Sequence, residues 1–160
     1  MTTIPYTARP IAPRALAELR TTDDAGRRTD GFTDTEGGSP LRCCLRRSGP
    51  GERIALVSYA PLRRWAAETD AMPGAYDEVG PVFIHAEPCA GPAEDVLPFT
   101  DAHRTVRRYC ARGHILGGQL VEGPDAFEEA LTEAFDDPAV ALIHVRAVEY
   151  GCFLYEVRRD

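Results

Sequence analysis

Short strand-like segments joined by tight turns make up most of this chain, and they constrain its fold more than any other feature. Residues 105–110 and 114–121 have the composition of strands and are separated by three residues. Residues 140–148 and 152–158 are separated by a turn at Gly151. Connections this short join antiparallel neighbours, because a parallel pair needs a crossover of a dozen or more residues. We therefore expect a mostly antiparallel sheet built from hairpins.

The first half of the chain contains weaker signals of the same kind. Residues 41–46 alternate apolar and polar side chains and lead through a Gly/Pro turn into residues 54–59, which predicts another hairpin. Residues 81–86 form a compact predicted strand, and residues 61–73 fit a short helix or a packed loop. Residues 21–40 are rich in Thr, Asp and Gly with little to bury, so we expect a long loop there.

One long helix interrupts the strands. The spacing predicts it over residues 124–135, because apolar residues recur at i, i+3, i+4, i+7 and i+8: Phe127, Ala130, Leu131, Ala134 and Phe135. Residues 11–20 predict a short N-terminal helix, and we expect both helices to pack on the sheet. Hairpins with an inserted helix indicate the α+β class. At 160 residues the chain is expected to form one domain, residues 1–160.

The composition excludes several classes of chemistry. All 18 basic residues are arginine, and the chain has neither lysine nor asparagine, so Schiff-base lysines, a P-loop lysine and a Cys-His-Asn triad are excluded. The net charge of -7 argues against a nucleic acid or an anionic membrane as partner. The first residues lack the pattern of a signal peptide and no apolar run reaches about 20 residues, so we expect a soluble, cytoplasmic protein without a signal peptide. The five cysteines lack any CxxC spacing and are expected to be reduced.

Four segments resemble a bacterial family, the domain of unknown function 1203: SPLRCCL, VGPVFIHAEPC, GGQLVEG and FDDPAVALIHVRAVEYGCFLYEVRR. The resemblance covers residues 38–158, and residues 139–158 are its most diagnostic part. It implies a cytoplasmic, single-domain bacterial protein and carries no reaction and no catalytic residue. In a Pro-x-Arg motif of the family, matched by Pro40 and Arg42, the middle position is often cysteine. Leu41 stands there, which argues against a catalytic thiol at that position.

Alternation along residues 140–148 places His144 and Arg146 on one face, and both faces are partly apolar. We therefore expect a central strand. An arginine there must reach solvent, pair with a carboxylate or bind an anionic ligand, because an isolated buried charge costs several kcal/mol. A Glu156–Arg146 pair is the simplest internal solution.

His85 lies near the end of the 81–86 strand, beside a loop that contains Cys89. If that strand pairs near residues 140–148, these two residues converge with His144, Arg146 and Cys152. The hypothesis assigns catalysis, by proton transfer or thiolate attack, to His85, His144 and Cys89. It assigns binding of a small anionic ligand to Arg146, Arg42, Tyr59 and Cys152.

Three alternatives stay open. His85, Cys89, His144 and Cys152 could instead form a tetrahedral N2S2 metal site. The acidic helix, residues 125–137, could meet a basic protein partner in a non-catalytic module. The cysteines and histidines could also be ordinary core residues. Whether the protein is an enzyme, which cofactor it uses and its oligomeric state are not determined by the sequence.

Overall fold

The computed structural model describes residues 6–93 and 97–159. This part of the chain is α+β, with two antiparallel sheets and three α-helices. The strands are β1 (Ala8–Arg9), β2 (Phe32–Asp34), β3 (Glu52–Tyr59), β4 (Gly80–His85), β5 (Arg104–Cys110), β6 (Ile115–Val121), β7 (Val140–Arg146) and β8 (Phe153–Arg158). The helices are α1 (Pro13–Leu19), α2 (Pro61–Glu68) and α3 (Pro124–Asp136). Within the described ranges, no helix is both long and apolar enough to cross a membrane.

The larger sheet has the strand order β1-β8-β7-β5-β6. The β5–β6 and β7–β8 hairpins that the short connections predicted are both present. β7 pairs with β5 on one side and β8 on the other, so the prediction of a central strand is confirmed. His144 on β7 lies opposite Arg107 on β5 and opposite Glu156 on β8.

Different helices cover the two faces of this sheet, as the alternation along β7 requires. Ile143 packs with Phe127 of α3 in one core cluster. Leu142 points the opposite way and packs with Trp65 of α2 in another. Because strand side chains alternate, His144 lies on the Leu142 face.

The smaller sheet has the order β2-β3-β4 and differs from the prediction. Residues 41–46 are not a strand paired with residues 54–59; β3 pairs with β2 and β4 instead. β2 lies inside the 21–40 segment, which we had predicted to be loop throughout. Residues 41–46 fail to form the predicted strand because the side chains of four successive residues are buried, whereas a strand of a half-exposed hairpin buries every second one. These residues are Leu41, Arg42, Cys43 and Cys44. The segment turns back on itself, with the Leu45 amide donating to the Leu41 carbonyl.

The pairing of residues 81–86 with residues 140–148, on which the convergence of the candidate residues depends, is not formed. Among the strands of the described ranges, β4 pairs with β3 alone, and His85 lies opposite Ile54. Both edges of β7 are already occupied by β5 and β8, which leaves no free edge for β4. His85 and His144 therefore belong to different sheets.

The N-terminal helix α1 packs on the smaller sheet. Its Leu16 and Leu19 are buried in one cluster with Ile54 of β3 and Ile84 of β4. The long helix α3 packs on the larger sheet. The sequence predicted one sheet that carries both helices, but α1 and α3 pack on different sheets. The third helix, α2, packs on the other face of the larger sheet.

Candidate metal centre

Residues 40–45 bring two adjacent cysteines to the end of β4. Leu41 forms a parallel bridge with Phe83, and the Arg42 amide donates to the Phe83 carbonyl. Leu45 has a positive φ of 55°, and the chain turns at this position. Cys43 and Cys44 are both buried in this turn, whereas in a strand they would face opposite sides.

Four potential ligand atoms meet there. They come from Cys43, Cys44, His85 and Cys89, and all lie within 4.8 Å of one another. The Cys43 and Cys44 sulfurs are 3.9 Å apart, and His85 Nδ1 is 3.4 Å from Cys43 Sγ and 3.8 Å from Cys44 Sγ. Tetrahedral zinc with bonds of about 2.3 Å to sulfur and about 2.0 Å to nitrogen places sulfurs about 3.8 Å apart and nitrogen about 3.5 Å from sulfur. The spacings among Cys43, Cys44 and His85 are close to that geometry.

Backbone N–H groups point at each of the three sulfurs. The His85 amide donates to Cys43 Sγ at 3.2 Å. Cys44 accepts a backbone hydrogen bond from Arg46, and Cys89 accepts one from Gly91. Hydrogen bonds of this kind favour the thiolate, which is the form of cysteine that binds metals.

Without a cation the three thiols do not ionise equally. The Cys43 thiol donates to Cys44, which raises the pKa of Cys43 and lowers the pKa of Cys44. Burial raises the pKa of Cys89. Ionising all three thiols in this cluster requires a cation that compensates their charge.

Glu52 on β3 sets the orientation of the His85 ring. Its carboxylate contacts His85 Nε2 and is held by Arg46 at 2.9 and 3.1 Å and by the Gly49 amide. The Arg46 guanidinium, with the Gly49 amide and His85, holds the pKa of Glu52 well below its usual range. An ionised Glu52 accepts a hydrogen bond from Nε2–H, and Nδ1, which faces the sulfurs, is then the ring nitrogen with a lone pair to offer a metal. A carboxylate on the outer nitrogen is the usual support of a metal-binding histidine.

A large cavity of about 880 Å³ adjoins this cluster. Cys44 lines it together with Arg46 and Arg47. The Arg47 guanidinium also lies 5.6 Å from the centre of the Phe99 ring, which is part of the same wall. The Cys44 side of the cluster therefore faces space that a small molecule can enter.

The other predicted site residues lie elsewhere. His144 is fully buried, and its Nε2 is 3.0 Å from Glu156. Glu156 also binds Arg158, while Arg146 pairs with Glu78 at 3.1 Å. The predicted Glu156–Arg146 pair is thus wrong: the strand register places Glu156 opposite His144.

The remaining ligand-binding candidates are also apart from the cluster. Arg42 is buried, and its Nε donates to the Phe153 carbonyl at 2.7 Å; burial lowers the pKa of Arg42 to about 10. The Tyr59 ring packs 5.6 Å from the Phe153 ring and lines a cavity of about 320 Å³. Cys152 Sγ lies 3.8 Å from the Tyr150 carbonyl. The catalytic and ligand-binding roles of these residues stay predictions, but their convergence in one site is wrong.

Sequence reasoning found half of the four-residue cluster. His85 and Cys89 were candidates because of their position at a strand end, whereas Cys43 and Cys44 were not named as site residues. The two adjacent cysteines were the local signal for the missing half. The predicted strand hid it, because side chains at successive strand positions point to opposite faces.

A family model described as "Protein of unknown function (DUF1203)" matches residues 38–159. The matched range contains all four candidate ligands and Glu52. No curated protein and no solved structure matches the chain. The match covers more than half of the chain, so this protein belongs to the family of proteins of unknown function DUF1203.

Proposed function

We propose that this protein binds a zinc ion through Cys43, Cys44, His85 and Cys89. The observation that carries the proposal is the spacing of the donor atoms. All four lie within 4.8 Å of one another, and the spacings among Cys43, Cys44 and His85 are close to those of a tetrahedral site. This ligand set replaces the N2S2 set expected from the sequence, since His144 and Cys152 lie apart from it.

Zinc is the metal that this chemistry favours. Thiolates and imidazole are soft to borderline ligands, and a tetrahedral set of three sulfurs and one nitrogen suits zinc among the common divalent ions. Four protein ligands leave no open position, which is the arrangement of structural zinc sites. The ion would join the 40–45 turn and the segment after β4, neither of which is held by extended strand pairing.

The test is the metal content of the purified protein. Wild type should contain about one zinc ion per chain, and cobalt substitution should produce the absorption bands of a tetrahedral thiolate site. Cys43→Ser and His85→Gln should lose most of the metal. Cys110→Ser is the matched control because Cys110 is a free cysteine outside the cluster. A wild type that takes up no zinc from zinc-supplemented medium, or a Cys43→Ser variant that retains it, would show that the proposal is wrong.

A second candidate function is thiolate catalysis by Cys44. It is favoured by the position of Cys44, which lines the 880 Å³ cavity and contacts His85. His85 in turn contacts Glu52, so the three residues have the arrangement of a nucleophile, a base and a carboxylate that orients the base. The pKa of Cys44 is lowered by the hydrogen bond from Cys43. This moves the thiol role that the sequence assigned to Cys89 onto a different cysteine.

Alkylation separates the two functions. In metal-free protein, a thiolate nucleophile at Cys44 should react with iodoacetamide at pH 6–7 much faster than Cys110, and mass spectrometry identifies the modified residue. If Cys44 reacts no faster than Cys110 after chelation, catalysis by this thiol is ruled out. If zinc protects Cys44 from alkylation, the metal site is supported as the resting state.

A further inference from the structure

The face of the larger sheet that α2 covers carries two arginines on neighbouring strands. Arg107 is on β5 and Arg146 is on β7, and both converge on a single carboxylate. Arg107 Nη1 is 2.9 Å from one oxygen of Glu78, and Arg146 Nη2 is 3.1 Å from the other. We propose that Arg107 and Arg146 form a binding site for a small phosphate-like dianion, and that Glu78 occupies this site when the dianion is absent.

The charges in this cluster do not balance. Two guanidinium groups share one carboxylate, and within residues 6–93 and 97–159 neither arginine has another acidic partner within 4 Å. Their remaining hydrogen bonds go to neutral groups, Arg146 to the Gly151 carbonyl and Arg107 to the Tyr109 hydroxyl. One positive charge is therefore left over, and a dianion would neutralise both arginines where Glu78 neutralises one.

The site is also partly withdrawn from water, which strengthens its hold on an anion. The side chain of Arg146 is 13% exposed and that of Arg107 is 25% exposed, whereas Glu78 is 44% exposed. Next to Arg107 in the sheet register, His144 is fully buried, and its Nδ1 has no hydrogen-bond partner among the residues that the structure describes. Burial, and after it the neighbouring charge of Arg107, lowers the pKa of Arg146.

The position of Glu78 in the chain allows a ligand to displace its carboxylate from the two arginines. Glu78 lies between the 3-10 turn Gly74–Tyr76 and β4, outside any helix or strand. Its carboxylate offers one oxygen to each arginine, the same pairing that two oxygens of a phosphate would offer. Leaving the site requires a change in this short connection and no break in a sheet.

This inference does not depend on the zinc proposal, because the two sites lie on different sheets. The test is isothermal titration of inorganic phosphate, in chloride buffer, into wild type and three variants. Glu78→Gln should bind phosphate about tenfold more tightly, because the internal competitor is gone. Arg146→Gln should bind it about tenfold more weakly than wild type. Asp70→Asn is the charge-matched control: it removes one negative charge from the chain between α2 and β4, on the other side of the 3-10 turn from Glu78, and should change the affinity less than twofold.

Tighter binding in Glu78→Gln with loss in the double variant Glu78→Gln/Arg146→Gln supports the site and its internal competitor. Equal affinity in Glu78→Gln and Asp70→Asn overturns the competition, and unchanged binding in Arg146→Gln overturns the site. Undetectable binding in Glu78→Gln, with a thermal unfolding transition like that of wild type, overturns the whole inference.

Discussion

Replacing Glu52 by glutamine should weaken zinc binding although Glu52 does not touch the metal ligand atoms of the cysteines. The carboxylate accepts from Arg46 twice, from the Gly49 amide and from His85. An amide has one acceptor oxygen and one NH2 group, so it cannot serve all four donors. If its NH2 faces His85, the ring must carry its proton on Nδ1, the proposed ligand atom. If its NH2 faces Arg46, the two donors repel each other.

The size of the effect follows from the supporting role of Glu52. Loss of the carboxylate behind a ligating histidine typically weakens metal affinity by about 10–100-fold. With free zinc above both dissociation constants, that loss lowers the melting temperature of a chain of this size by about 3–10 °C. The same substitution should not abolish binding, because all four ligands remain.

The assay is competition for zinc against a chromophoric chelator at pH 7. Glu87→Gln is the matched control, since Glu87 is 65% exposed and contacts Arg53 rather than the cluster. An affinity of Glu52→Gln within twofold of wild type, alongside loss of binding in Cys43→Ser, would refute the orienting role and leave the metal site in place. If both Glu52→Gln and Cys43→Ser bind zinc as tightly as wild type, the metal site itself is refuted.

Three further predictions concern the fold. Leu131→Ala, at a fully buried position of α3, should lower the free energy of unfolding by about 2–5 kcal/mol in urea titrations, and a loss well under 1 kcal/mol would contradict the assignment of the core. Arg42→Met should lower it by about 1–3 kcal/mol, because the Phe153 and Pro40 carbonyls lose their donor; an unchanged urea midpoint would contradict this. Burial lowers the pKa of His144 below its usual value of 6.5. Below pH 6.5 this imidazole is therefore protonated more readily in the unfolded chain than in the native protein, and the free energy of unfolding should fall as the pH drops. His144→Gln should show a flatter dependence between pH 5 and 6.5 when unfolding is measured across pH, and an identical slope would count against the buried neutral imidazole.

The parts of the fold that the sequence predicted well are local. The β5–β6 and β7–β8 hairpins follow from connections too short for any other pairing, and α3 follows from its apolar spacing. The central position of β7 follows from apolar residues on both of its faces. Each of these signals is contained within about 20 residues.

The candidate site could be predicted only in part. His85 and Cys89 are four residues apart, and their place at a strand end made them candidates. Their partners, Cys43 and Cys44, are more than 40 residues away, and their alternating neighbours imitate a strand. The structure shows instead a turn in which four successive residues are buried.

The sequence by itself determined the class of the fold, the hairpins of the larger sheet, the long helix and the restriction of fixed positive charge to arginine. It did not determine which strand β4 joins, because its alternating apolar residues fit the edge of either sheet. That choice depends on the edges of β7 being filled by β5 and β8, which is a property of the assembled sheet. The choice separates His85 from His144 and divides the candidate residues between two clusters. One is a cluster of thiols and an imidazole, and the other is a pair of arginines closed by Glu78.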